Sequence, residues 1–293
     1  MNNYINNKSI KEIKIKIPLS SANLACGFDT FGIALALYNI YTFKESDEFE
    51  LIGFNEKYQN DNNLCMNAYI KTFEYMQKDL IKASIKLEEH IPTCGGCGSS
   101  ANVILAGVIG ANYLANGNLT MSEICDIACK IEGHPDNVVP ELYGGLTSAI
   151  KLDDGSIKYF KYNVNENLIF TLLVPSFSLN TKVMRQCLPK EVKLNVAIYN
   201  LSRCANVPYA LEHGNIDELR FLLKDKIHQE YRIDKIENAR LAFDYAYNLG
   251  YIPMISGSGA SLLIISKDQI KEDFKGFKKY SLKPDNEGVK IYE

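Results

Sequence analysis

Isoleucines alternate with lysines over residues 13–17 and the run stops at Pro18, which predicts a strand feeding a turn; residues 28–43 continue with apolar and β-prone side chains. Over residues 64–80, Leu64, Ala68, Phe73, Met76 and Leu80 fall near helical spacing, and residues 84–91 alternate again as a strand. A glycine loop follows, then a stretch from 100 to 116 that is apolar on most faces and predicts a buried helix. Thr120 and Glu123 form a capping-box pattern for a second helix ending near residue 131, after which Pro135 and Pro140 predict irregular backbone.

Residues 146–151 and 157–162 flank Asp154-Gly155 as a hairpin, and 169–174 reads as a further apolar strand. The rest carries helical patterns at 192–210, 216–226 and 233–249, then a strand at 261–265. Strands and helices mix without the alternation of a parallel α/β fold, so the expected class is α+β. A seam near residue 160 divides an N-terminal unit, 1–160, from a C-terminal unit, 161–293, and with no linker visible the two should pack closely.

With 293 residues, 46% of them hydrophobic, the chain can bury one large core or two modest ones. The net charge of -3 leaves no basic excess for a nucleic-acid backbone or an anionic membrane, so neither is an expected partner. The opening segment lacks the apolar core of a secretory leader, and no run approaches about 18 apolar residues, so the expected location is cytoplasmic. Cys26, Cys65, Cys187 and Cys204 read as isolated small hydrophobes. Cys94 and Cys97, with Cys125 and Cys129 downstream, have the number of ligands a zinc site needs, but the downstream i, i+4 spacing is not a knuckle; the C-x-x-C reads as a glycine loop that tolerates cysteine.

Four small, polar loops carry the candidate chemistry. Pro92-Thr93-Cys94-Gly95-Gly96-Cys97-Gly98-Ser99-Ser100-Ala101 lies between a predicted strand and a predicted buried helix. Its glycines allow close backbone approach to a ligand, and the helix start offers unpaired N–H groups and a positive dipole end, the makings of a phosphate cradle. A ligand-free glycine turn would have the same composition. The segment lacks a Walker lysine, and the strand with a terminal acid that a dinucleotide fold needs about 20 residues on is missing. Glu132-Gly133-His134-Pro135-Asp136-Asn137 concentrates polar groups between a helix end and a proline, where Glu132 suits Mg²⁺ and His134 or Asn137 a substrate hydrogen bond; a solvated acidic turn is the plain alternative. The loops from Ser20 to Asp29 and from Ser256 to Ser261 are each ordinary turns when taken alone.

Taken in order, residues 18–34, 91–101, 132–145 and 256–261 resemble the successive motifs of the GHMP kinase superfamily across most of the chain, and Glu132 to Val138 resembles its homoserine-phosphorylating branch. The resemblance implies an N-terminal domain like the second domain of ribosomal protein S5, a ferredoxin-like C-terminal domain, and ATP, Mg²⁺ and homoserine between them, serving threonine biosynthesis; a homodimer is left open. It implies that residues 92–101 bind the triphosphate and that Asn63 lies near the adenine. Glu132 with Ser99 or Ser100 would hold Mg²⁺. On the acceptor side it implies Asn23, Asp29, His134, Asn137, Arg185, Arg232, Gly257, Ser258 and Gly259. The guanidinium forks suit the substrate carboxylate, whereas unaided either arginine reads as a surface residue. Many of these kinases use an aspartate base and the homoserine branch lacks one at that place, so Asp29 is expected to orient substrate, and Asp136 is a candidate base beside Asn137. Cys97, Asn102 and Ala260 depart from the family's leucine, alanine and proline. Rival readings are a kinase for mevalonate, shikimate or a sugar, a non-catalytic homologue, and a C-x-x-C metal or redox protein.

Overall fold

The computed structural model describes residues 12–177, 179 and 181–292. Residues 1–11 of the opening segment, read above as no leader, lie outside them. β1 (Glu12–Ala22) and β2 (Phe31–Glu45) pair antiparallel from Glu12↔Lys44 to Ala22↔Gly32, with a register shift between Pro18 and Leu19. The shift sits at the proline because it has no N–H for the ladder. β3 (Glu50–Ile52), α1 (Leu64–Met76) and β4 (Ala83–Glu88) follow, then α2 (Ser99–Leu114), α3 (Met121–Glu132) and α4 (Pro135–Tyr143). β5 (Leu146–Lys151) and β6 (Ile157–Tyr162) form the expected hairpin.

β7 (Ile169–Pro175) opens the second half, followed by α5 (Thr181–Gln186), α6 (Leu194–Cys204), α7 (Val207–His213), α8 (Ile216–Leu222), α9 (Gln229–Arg232) and α10 (Ala239–Asn248). β8 (Ile252–Ile255), β9 (Leu262–Ser266), β10 (Phe277–Leu282) and β11 (Lys290–Tyr292) complete the described chain. Among the described residues the first sheet has the order β11-β1-β2-β4-β3 with the β5–β6 hairpin off β2, and the second has β10-β7-β9-β8. Numbered within the second half, those strands lie 4-1-3-2 and antiparallel, a ferredoxin-like order. The mixed α+β fold is therefore as expected. The seam near 160 falls inside β6, and β11, at the far end of the chain, lies against β1.

One apolar core lies between the first sheet and α1–α4, and another backs the second sheet with Ile236, Ala239 and Phe243. Between them Leu19, Phe31 and Ile33 from one half meet Leu172, Met254 and Ile265 from the other, so the seam is a packed core. Among the described residues no helix is long and apolar enough to cross a membrane.

Several boundaries differ from the sequence pattern for local reasons. The irregular backbone expected at Pro135 and Pro140 is instead α4. Pro135 occupies the first turn, where no N–H is needed, and Pro140 lies inside the helix. The Asp136 carbonyl that Pro140 cannot satisfy faces Gly32 on β2, where an added Cβ would come within 1.8 Å of that oxygen. α1 stops at Met76 because Gln77 turns left-handed, φ 53°. The pattern over 192–210 breaks into α6 and α7 at Asn206, with Pro208 in the new helix's first turn. The pattern from 233 gives a 3-10 turn over Ile233–Lys235 and becomes α-helical only at Ala239, since Ile236 is extended and Asn238 left-handed.

Candidate active site

Three of the four small-residue loops are sewn together backbone to backbone where the sheets meet. The Gly257 N–H donates to the Ala22 carbonyl at 3.1 Å and the Ser261 N–H to the Gly95 carbonyl at 3.1 Å. The Ser256 hydroxyl donates to the Gly96 carbonyl and lies 2.8 Å from the Ser21 hydroxyl. A Cβ on Gly95 would sit 2.2 Å from the Gly259 carbonyl, and one on Gly96, whose φ is +93°, 2.2 Å from the Ser256 carbonyl. Larger residues would part the loops.

Above this junction opens a cleft of ≈ 160 Å³ whose walls include Gly95, Gly96, Gly98, Ser99, Ser100, Glu132, Asp136, Asn137, Arg185 and Arg232. Asn23, Asp29, Cys94, His134, Gly257 and Ser258 line it too, so most of the predicted site converges. α2 begins at Ser99 after Gly98, which is left-handed at φ 66° and supplies no side-chain cap. The first N–H groups of the helix are thus left for a ligand, with the dipole's positive end behind them. The Ser99 hydroxyl donates to the Pro92 carbonyl at 3.2 Å, closing the loop on itself. Ser100 instead donates to Glu132 at 2.6 Å across the cleft. Burial raises the Glu132 carboxyl above its usual range, the Ser100 bond opposing it.

The other end is built from side chains of distant elements. Arg185, in the last turn of α5, forks onto Asp29 with Nη1 and Nη2 at 2.9 and 3.0 Å from the two carboxylate oxygens. The pair is 43% and 37% exposed, so it contributes about 0–1 kcal/mol and opens readily to a competing ligand. Arg232 differs, being only 2% exposed. Its guanidinium donates to the Met184 and Gly257 carbonyls at 3.2 and 3.3 Å and to Nδ1 of His228 at 3.2 Å. It makes no ion pair with a carboxylate among the described residues, and burial lowers its pKa.

His228 holds that guanidinium in place. Its Nε2 donates to the Ala25 carbonyl at 2.9 Å, leaving Nδ1 to accept from Arg232, and burial lowers its pKa toward this neutral form. Its ring stacks on Phe28 at 5.0 Å, and the Arg232 and Arg185 guanidinium carbons lie 5.3 and 6.0 Å from the Phe28 ring. Neither Phe28 nor His228 was legible as a site residue. The only local signal was His228 four positions before Arg232, one helical turn.

α4 presents the remaining polar groups. Burial, with Asp29 nearby, pushes the Asp136 carboxyl up to about 7, Arg185 opposing. Burial and the Arg185 charge lower the His134 pKa. Ser20 lies 2.9 Å from Asn137 Oδ1 and 2.6 Å from Oε1 of the fully buried Glu141. One hydroxyl proton cannot serve both acceptors. Burial raises the Glu141 pKa well above its usual value, which favours the arrangement with a proton between Glu141 and Ser20 on the carboxyl side and the Ser20 hydroxyl directed to Asn137. Ser20 thus ties Asn137, on the cleft wall, to Glu141, a link hidden from the local sequence because Glu141 and Ser20 are 121 positions apart.

A few predicted residues have structural duties. Asn23 donates to the Gly257 carbonyl at 2.7 Å and accepts from the Asp29 N–H at 2.9 Å, so its amide fixes the wall. Asn63 caps α1, accepting from Met66 N–H at 3.0 Å and donating to the Tyr58 carbonyl at 2.8 Å, and is not among the residues lining the cleft. Thr93 bonds outward to Glu89, Ala101 and Cys97 are buried beneath the loop, and Gly259 contributes its backbone to the junction. No cluster of three or more potential metal-binding side chains occurs among the described residues, which removes the four-cysteine zinc site.

A glycine cradle at an open helix start, set between an S5-like half and a ferredoxin-like half, defines a GHMP kinase. Residues 63–145 match the family of GHMP kinase N terminal domains. The crystal structure of homoserine kinase from Cytophaga hutchinsonii has a TM-score of 0.87 with this chain at 24% identity, covering 99% of this chain and 100% of that one. Mevalonate diphosphate decarboxylase from Enterococcus faecalis shares the fold at a TM-score of 0.70 and 12% identity, covering 97% and 99%, so fold alone does not select the acceptor. Homoserine kinase of Clostridium acetobutylicum is 39% identical over 288 residues, 96% of each chain. This chain belongs to the homoserine kinase family.

Proposed function

We propose that the chain transfers the γ-phosphate of ATP to the side-chain hydroxyl of L-homoserine, giving O-phospho-L-homoserine for threonine biosynthesis. The observation that carries this reading is Arg232, a buried guanidinium facing the cleft without a carboxylate partner among the described residues, close to a displaceable Asp29–Arg185 pair. A zwitterionic acceptor satisfies this arrangement: its carboxylate takes Arg232 and Arg185, and its ammonium takes the released Asp29. Mevalonate would draw Arg185 away and leave Asp29 without a cation, and a sugar would leave the buried Arg232 without an anion.

Phosphoryl transfer asks for alignment and charge stabilisation more than covalent help. The amides of Gly95 to Gly98 and the α2 N-terminus hold the triphosphate, and His134 and Asn137 bracket the acceptor hydroxyl. Asp136, with its pKa near 7, accepts the proton that the hydroxyl loses. Ser100 and Glu132 fit Mg²⁺: both offer oxygen, and a cation would offset the cost of keeping the Glu132 carboxylate charged. When bound, the ion neutralises charge on the phosphate oxygens.

The test is ADP release from Mg-ATP with L-homoserine, L-serine, L-threonine, mevalonate, shikimate and galactose, each with and without EDTA. The expected result is turnover with homoserine alone, abolished by EDTA. Turnover with another alcohol and not homoserine overturns the acceptor, and silence with ATP still bound makes the chain a non-catalytic homologue.

A further inference from the structure

The C-x-x-C at the mouth of the cradle is not used by phosphoryl transfer. Cys94 Sγ lies 3.2 Å from Cys97 Sγ, and the Ser261 hydroxyl touches both sulfurs, at 3.1 and 3.5 Å. Cys94 is half-buried in the cleft wall and Cys97 is fully buried beneath it, one outer and one inner sulfur. The other cysteine pairs do not line the cleft. Cys125 and Cys129 are both buried with sulfurs 3.9 Å apart, while Cys26 is buried and meets the half-buried Cys204 away from the cleft. Hydrogen bonds from Cys97 and Ser261 lower the Cys94 thiol's pKa, and the start of α2 two residues beyond Cys97 adds positive potential.

We propose that Cys94 and Cys97 form a reversible dithiol–disulfide site in the phosphate loop, oxidised by a small-molecule disulfide, and that the closed form switches the cradle off. The Cys94 thiolate attacks one sulfur of the disulfide, forms a mixed disulfide and expels one thiolate. Cys97 then attacks the Cys94 sulfur, forming the internal bond and expelling the second. The two cysteine protons end on the two released thiols; the cysteine pair loses two electrons and the small disulfide gains them. The sulfurs need to close by roughly 1 Å to reach bonding distance. That motion draws Cys94 off Ser261 and pulls on the Gly95 and Gly96 carbonyls, which are tied to Ser261 and Ser256. ATP in the cleft covers Cys94 and should slow the reaction.

The bond itself does not depend on the kinase reading, but the switch does. The experiment treats the reduced full chain with oxidised glutathione and follows free thiols, tandem mass spectrometry of the loop peptide, and homoserine-dependent ADP release. We expect a Cys94–Cys97 link and turnover down roughly a hundredfold, the order of loss from misplacing a reacting group by about 1 Å. Dithiothreitol should restore both, and ATP present during oxidation should slow the link. Each variant is compared with its own reduced state: Cys97→Ser should stop at a mixed disulfide on Cys94, whereas Cys204→Ser should remain as sensitive as the parent. No link in the parent overturns the site, and so does a stable mixed disulfide on Cys94 of the parent. A link that leaves turnover unchanged overturns the switch, as does protection by Cys204→Ser. A reduced chain already without turnover counts against the kinase reading while leaving the bond testable.

Discussion

The two ends of the cleft are made of different material. The proposed phosphate end is backbone: glycines 95, 96 and 98, an uncapped helix start, and carbonyls bonded across three loops. The proposed acceptor end is side chain: Asp29 after β1, Arg185 on α5, Arg232 on α9, and His134 and Asn137 around the start of α4. A triphosphate is bulky, anionic and common to many reactions, so a generic amide cradle suffices and only small residues can build it. The acceptor is selected by where its charges sit, which requires charged groups brought from far apart in the chain. On the proposed function, the backbone of the fold holds the nucleotide and the side chains set the choice of alcohol.

Damage to the backbone end should be the most severe. Gly96→Ala forces a Cβ against the Ser256 carbonyl at a left-handed position, and kcat/KM should fall by about 10²–10³ with the circular dichroism spectrum retained. Glu132→Gln should lower kcat by a similar order while homoserine still binds; parent-like turnover would return Glu132 to a helix-end role. At the acceptor end Arg232→Met should raise KM for homoserine roughly 10- to 100-fold, the worth of a charge-assisted bond, and leave KM for ATP alone. Thermal unfolding of that variant should shift little or upward, because it removes a buried, desolvated cation. Arg185→Ala should act in the same direction by about tenfold or less, since its guanidinium is 43% exposed.

A pH profile sharpens the picture least in size but most in detail. Asp136 must be charged to accept a proton, and its pKa is raised to about 7, so below that pH the carboxyl is neutral. Turnover should therefore rise with pH through about 7. Asp136→Asn should flatten the rise, and a profile unchanged by that substitution would remove the base from the mechanism.

What could be read from sequence follows the same division. The glycine cradle, the α3 capping box and the Glu132 to Asn137 cluster are local patterns with local physical meaning, and each stands where its pattern indicated. α4 was misread because the permission for Pro140 inside a helix comes from Gly32, on a strand more than a hundred positions earlier. Arg232 reads from its own segment as a surface arginine, and its burial is supplied by Met184, His228, Gly257 and the Phe28 ring. The Glu141–Ser20–Asn137 relay spans two elements with nothing in either segment to announce the other. The short β11 finds its place through pairing with β1. The family resemblance pointed to Arg185 and Arg232, which both line the cleft, where periodicity had nothing to offer.

The most direct test of the central claim compares homoserine with two analogues that keep the reacting hydroxyl: 3-aminopropan-1-ol, which lacks the carboxylate, and 4-hydroxybutyrate, which lacks the ammonium. For each analogue kcat/KM should fall about a hundredfold or more, with KM for ATP unchanged, each lost charge leaving a site charge unpaired. Parent-like kcat/KM with either analogue would contradict the claim, because the charged side chains at the acceptor end would then not be what selects the alcohol.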